Sequence, residues 1–135
     1  MGKKRAIKLA IDFDGTIVEK AKFPSFGPPA KNVFKYLKQF QDAGAKLILW
    51  TMRCDGYTKA PSALTDAIDF CKKNGIEFDS INKGIGDRGW TKSPKVDADI
   101  YIDDKGWGCP MSQVAPFTVD WTVIGPEILK FIKGE

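Results

Sequence analysis

The run Leu47-Ile48-Leu49-Trp50 places four apolar side chains in succession and stops at Thr51. Side chains of a strand alternate between two faces, so such a run needs apolar cover on both of them. That requirement points to a parallel sheet inside an α/β protein. The neighbouring segments agree. Ile7, Leu9 and Ile11 alternate up to Asp12, which predicts strand 1. From Ala30 a helix is expected, with Val33, Leu37 and Phe40 on one stripe and Gly44 as its stop. A second helix is predicted over 61–74, with Pro61 near its start, Leu64, Ala67, Ile68 and Cys71 inward, and Gly75 after it. Phe78 to Asn82 and Ala98 to Ile102 read as strands. Phe117, Val119 and Trp121 suggest a fifth strand, and Ile128, Leu129 and Ile132 a closing helix. Residues 15–29, with Gly15, Pro24, Gly27, Pro28 and Pro29, read as a loop. Residues 83–97 are polar and glycine-rich with no helical period, so the link between strands 3 and 4 lacks a clear helix.

The chain of 135 residues is of a size for one domain with one buried core. Its net charge of +4 suits an anionic ligand but falls short of the basic footprint of a dedicated nucleic-acid binder. Cys54, Cys71 and Cys109 are scattered without a C-x-x-C pair, as expected of reduced thiols in a cytoplasmic protein. No histidine is present. Serine or cysteine nucleophiles activated by imidazole, and zinc sites built on histidine, are therefore excluded. Lys3-Lys4-Arg5 reads as a solvated tail, Gly2 lacks the Ser or Thr that myristoylation needs, and no apolar run is long enough to span a membrane.

In open parallel sheets, ligands gather outside the carboxyl ends of the strands. Asp12, Thr51 and Asp103 each end a predicted strand. Asp14 follows Asp12 by two residues, and Gly15 gives the chain freedom to turn there. An aspartate carboxylate can attack phosphorus and split the displacement into two steps, while a second carboxylate protonates the leaving oxygen and later deprotonates water. Crowding Asp12, Asp14, Asp103 and Asp104 is costly without a cation, because like charges raise one another's pKa. A hard divalent ion with oxygen ligands, magnesium above all, relieves that cost. Taken singly, each residue also has an ordinary structural reading: Asp-Gly is a common turn pair, and Thr51 or Asp103-Asp104 can simply end a strand.

Taken together, the motifs resemble those of the haloacid dehalogenase-like superfamily of phosphohydrolases, over about residues 6–105. Asp12-Phe13-Asp14-Gly15-Thr16 is similar to its first motif, D-x-D-x-T. Thr51 after its apolar strand is similar to the second, and Ile100-Tyr101-Ile102-Asp103-Asp104 to the acidic fourth. The resemblance implies a Rossmann-like three-layer sandwich with a mostly parallel five-stranded sheet of order 3-2-1-4-5, a single domain over 1–135 with no cap domain. It further implies Asp12 as nucleophile and metal ligand, and Asp14 as general acid/base with its carbonyl on magnesium. Thr51 would hold the phosphoryl oxygens. Asp103 and Asp104 would complete the metal site, one directly and the other through water, in an order left open. The third motif is a lysine; Lys95 and Lys92 both qualify, and Lys95, leading directly into the strand, is preferred. Gly15, Thr16, Met52 and Arg53, beside these motifs, are expected to touch substrate, Arg53 by reaching an anion.

Gly84-Ile85-Gly86-Asp87-Arg88-Gly89 spells a dinucleotide fingerprint, but Trp90-Thr91-Lys92-Ser93-Pro94 does not read as the helix that fingerprint requires. A basic loop beside the site, with Lys83, Arg88 and Lys92, is the better reading. Trp50 and Trp121 are expected in the core; Trp90 and Trp107 lie in loops where they could meet substrate. Without a cap the site should be open, so that it either accepts large substrates or is covered by a second copy of the chain in a homo-oligomer. The expected activity is magnesium-dependent phosphomonoester hydrolysis of a small phosphorylated molecule. Two alternatives are a binding or regulatory protein without turnover and a phosphatase of nucleic-acid ends.

Overall fold

Four parallel strands form one sheet in the computed structural model, which describes residues 5–86 and 88–135. Residues 1–4 of the expected tail, including Gly2, Lys3 and Lys4, and Asp87 of the glycine-rich segment, lie outside the described residues. Along the chain come β1 (Lys8–Ile11), α1 (Val33–Asp42), β2 (Lys46–Leu49), α2 (Ala63–Lys73), β3 (Ser80–Ile81), β4 (Ile100–Ile102) and α3 (Trp121–Lys133). The sheet order is β3-β2-β1-β4, and each pairing is parallel.

The alternation of β1 and β2 decides what lies on each face. Leu9, Ile11, Leu47 and Leu49 join the larger apolar cluster, together with Val33, Leu37 and Phe40 of α1, Ala67 and Cys71 of α2, and Trp121 and Ile128 of α3. Ala10 and Ile48 point the other way and meet Val96, with Trp50, Ile85 and Ala98 around them. Leu47, Ile48 and Leu49 are all fully buried, as the apolar run requires. The second cover is not a helix, however. β3 lies at one edge of the sheet and β4 beyond β1, so residues 82–99 must cross β2 and β1. The described residues of this crossing form no helix or strand, and they set Val96 on the sheet. The expected three-layer sandwich is thus two regular layers, sheet and helices, with this crossing segment on the remaining face. Among the described residues no helix is long and apolar enough to cross a membrane.

The predicted fifth strand does not form. Phe117 adopts φ +64°, which ends an extended path, and its side chain is exposed. Val119 makes an isolated antiparallel bridge with Met111 and donates its amide to the Gly15 carbonyl at 3.0 Å. The Asp120 carboxylate accepts from the Thr122 amide and caps α3, so Trp121 is the first helical residue. The buried positions Val119 and Trp121 thus alternate because a loop docks there before turning into a helix. Within the described residues the sheet has four strands, in order 3-2-1-4.

Trp121 ties α3 to the segment after β1. Its indole Nε1 donates to the Thr16 carbonyl at 2.7 Å in the core, and its ring packs on Phe40. Trp121→Phe keeps most of the apolar surface but leaves a buried carbonyl without its donor. We expect it to lower the unfolding free energy by about 1–3 kcal/mol in denaturant titrations, with an unchanged m-value.

Candidate active site

Ile11 is in register with Leu49 on one side and with Ile102 on the other. The residues that follow these three therefore leave the sheet at one level, and the Asp12 amide still donates to the Ile102 carbonyl at 2.9 Å. One oxygen from each of Asp12, Asp103 and Asp104 lies within 4.8 Å of the others. Two adjacent parallel strands thus supply three carboxylates to one small volume.

The turn after Asp12 is tightly specified. The amides of Thr16, Ile17 and Val18 all reach the Phe13 carbonyl, and the Gly15 amide donates to the Val18 carbonyl. Gly15 sits at φ +78°, and a Cβ there would lie 2.7 Å from Asp104 Oδ2. Conformation and space both demand glycine. Thr16 is fully buried; its hydroxyl donates to Asp12 Oδ2 at 3.0 Å and accepts from the Asp104 amide at 3.1 Å. Gly15 and Thr16 were expected at the substrate. In the structure Thr16 orients Asp12 and links it to Asp104, while Gly15 makes room for that link.

The electrostatics follow from this crowding. Burial, and then the charge of Asp103, push Asp12 up to about 8 from an ordinary 3.8, although the Thr16 hydroxyl works the other way. Asp103 also rises, through burial first and then its neighbour Asp104. Burial would raise Asp104 too, but hydrogen bonds with Lys20, Asp103 and Asp12 outweigh it, and its pKa falls. Lys20 Nζ lies 2.9 Å from Asp104 Oδ2. A short-range set of oxygen donors that resist shared ionisation fits a hard divalent cation. Asp12, Asp103 and Asp104 would hold it.

Thr51 follows β2 by two residues. Its amide donates to Asn82 Oδ1 at 2.8 Å, and its Oγ1 accepts from the Arg53 amide at 3.1 Å. Met52 is almost fully exposed. Arg53 is buried, and its guanidinium grips Asp14 through Nε to Oδ2 and Nη2 to Oδ1, both at 2.8 Å. The two residues expected to serve as proton carrier and anion binder are bound to each other. Lys95 and Lys92 are exposed. Lys95 Nζ lies 5.8 Å from the Tyr101 ring centroid, and its backbone carbonyl accepts from Arg88. Among the described residues, the ion pair to the Asp12–Asp103–Asp104 cluster comes from Lys20. Trp121 is buried, as expected of a core residue; Trp50, expected there too, follows β2 and is only half-buried at the rim of the smaller cluster, and Trp90 and Trp107 are exposed in loops. No helix follows Gly89 before β4, so the glycine-rich segment has no helix N-terminus to offer a pyrophosphate.

Sequence reasoning missed Lys20 and Asn82. Lys20 sits in a loop with no motif spacing to mark it. Asn82 carried a faint signal, since asparagine at a strand end readily takes a positive φ, here +55°.

No protein-family model and no curated protein sequence matches the chain. Among solved structures, a conserved protein from Bacteroides thetaiotaomicron is similar at 34% sequence identity and a TM-score of 0.74, covering 94% of this chain and 93% of that one. The chain belongs to the same family as that conserved protein.

The Asp12 shift sets a sign for pH dependence. A folded-state pKa above the unfolded value means that the folded protein binds more protons in between, so stability falls as pH rises through that window. Without divalent ions, the contribution of Asp12 to the melting temperature should decline from near pH 3.8 to about pH 8 and then level off. The difference between wild type and Asp12→Asn reports Asp12 together with its coupling to Asp103 and Asp104. At pH 8, magnesium at a hundred times its Kd should restore about 2.7 kcal/mol in wild type, and much less in Asp12→Asn.

Proposed function

We propose that this protein is a magnesium-dependent phosphomonoester hydrolase of the haloacid dehalogenase-like superfamily, with Asp12 as nucleophile. The observation that carries the reading is the convergence of Asp12, Asp103 and Asp104 at the carboxyl edge of a parallel sheet. When bound there, magnesium would offset the charge of the carboxylates and of the phosphoryl group.

The chain's own groups divide the reaction into two displacements. Thr16 holds one oxygen of Asp12 and so fixes the plane of the attacking carboxylate. As Asp12 bonds to phosphorus, the bond to the ester oxygen breaks, and that oxygen takes a proton from Asp14 in its carboxylic-acid form, leaving the carboxylate that Arg53 grips. A water molecule then gives a proton to Asp14 and attacks phosphorus, and the bond to Asp12 breaks. The products are the free alcohol and inorganic phosphate, for one water consumed, and both aspartates return to their starting forms. Thr51, whose hydroxyl accepts from the Arg53 amide, keeps its own proton for a phosphoryl oxygen. Lys20, already paired with Asp104, supplies positive charge beside the cluster. The role of motif lysine stays with Lys95 only if the 82–99 segment brings its ammonium inward from the Tyr101 ring.

A small phosphorylated molecule is the favoured substrate class, given a net charge too modest for a nucleic-acid track. The competing reading, a metal-binding protein of this fold without turnover, draws on the engagement of Asp14 by Arg53. The two are separated by an aryl phosphate assay with magnesium. Hydrolysis should be abolished by chelator and reduced at least about 1,000-fold by Asp12→Asn with unchanged circular dichroism. Stabilisation by magnesium without hydrolysis across a panel of sugar phosphates, nucleotides and phosphorylated oligonucleotides would favour the binding protein.

A further inference from the structure

Arg53 is the least expected side chain of the molecule. Only 1% of its side chain is exposed, against 32% for its partner Asp14. Guanidinium has five N–H donors, and here each has an acceptor. Nε and one Nη2 hydrogen go to the two oxygens of Asp14 at 2.8 Å. Nη1 serves the carbonyls of Pro24 at 3.0 Å and Ala63 at 3.2 Å, and Nη2 also faces the Ser25 carbonyl at 3.5 Å. The rings of Phe13, Phe23 and Phe26 surround the cation at 5.2, 5.2 and 5.3 Å. No guanidinium donor is left over for a substrate anion, so the side chain of Arg53 acts on the chemistry through what it positions, and Asp14 is the one reacting group it grips.

A buried ion pair is a poor device for stability alone, because desolvation consumes most of its attraction and apolar residues of similar volume do as well. What a planar fork adds is direction. Two parallel bonds fix the plane and the rotation of a carboxylate, which a single-point ammonium cannot do. Arg53 also joins three segments: the turn after β1, residues 23–26, and the first turn of α2. It lies two residues after Thr51, so the strand end that carries Thr51 also sets the pose of Asp14.

We propose that Arg53 is the positioning residue of Asp14, setting the orientation from which its carboxyl passes a proton to the leaving oxygen. This rests on the phosphohydrolase reading above. Proton transfer to the leaving group matters for an alkyl phosphate, whose alkoxide is a poor leaving group, and hardly at all for 2,4-dinitrophenyl phosphate. The ratio of kcat/KM for the two substrates therefore reports on Asp14 in the first displacement, and general loss of structure does not move it.

Arg53→Lys keeps the charge and removes the fork. It should lower kcat/KM for an alkyl phosphate at least about tenfold while changing that for the dinitrophenyl ester by less than about twofold. In an Asp14→Asn background it should cause no further selective loss. Phe23 is about half exposed, so Phe23→Ala tolerates folding well. By uncovering the guanidinium, it should give the same selectivity at about two- to fivefold. If Arg53→Lys does not fold, Phe23→Ala decides. Equal losses on both substrates, no loss, or a gain on the alkyl ester would overturn the positioning role while leaving the phosphatase intact. A wild type inactive on both esters would overturn the phosphatase reading and this inference with it.

Discussion

Three carboxylates meet at one point because two neighbouring parallel strands end at the same level. The register of Ile11 with Ile102 puts Asp12 beside Asp103 and Asp104, and the turn that follows Asp12 is built around that proximity. Gly15 is glycine because Asp104 occupies the space of its Cβ, and Thr16 is buried because its hydroxyl must bridge Asp12 and Asp104. α3 is anchored in turn on the Thr16 carbonyl through Trp121. A core contact and the electrostatics of the candidate site therefore share a single residue.

The crowding has a cost that the surroundings only partly meet. Burial and mutual repulsion push Asp12 and Asp103 toward the protonated form, and Lys20 compensates chiefly at its ion-pair partner Asp104 and only weakly at Asp103. A hard divalent cation with oxygen ligands would relieve such an imbalance. Asp14 stands apart from this group. Its charge is met by Arg53, whose guanidinium is surrounded by three phenylalanine rings. The two carboxylates of the D-x-D segment thus live in different environments, one short of positive charge and one fully paired.

Much of the fold was legible because burial leaves a periodic trace. The stripe Val33, Leu37 and Phe40 lies on α1, and the run Leu47-Ile48-Leu49 lies in a strand covered on both faces. The fifth strand was misread because alternate burial at Val119 and Trp121 also arises when a loop docks and turns into a helix. Only the backbone, with Phe117 at a positive φ and Asp120 as a cap, tells the two apart. The helix-free crossing was visible as a stretch without period, but nothing in that stretch said that Val96 would close the second face.

For the candidate site, the sequence by itself determined which polar residues lie just past the strand ends: Asp12 after β1, Thr51 two residues after β2, and Asp103 with Asp104 after β4. Position at a strand end is a local property, set by where an apolar run stops. Partnership is not local. That Lys20 rather than Lys95 reaches the cluster, that Asn82 holds the Thr51 amide, and that Arg53 turns inward to Asp14 depend on contacts between segments far apart in the chain. Arg53 is 39 residues from Asp14, and its burial is repaid only where three phenylalanine rings and three backbone carbonyls converge. Tertiary structure alone decides such an arrangement, because the free energy of a buried charge depends on all the groups around it.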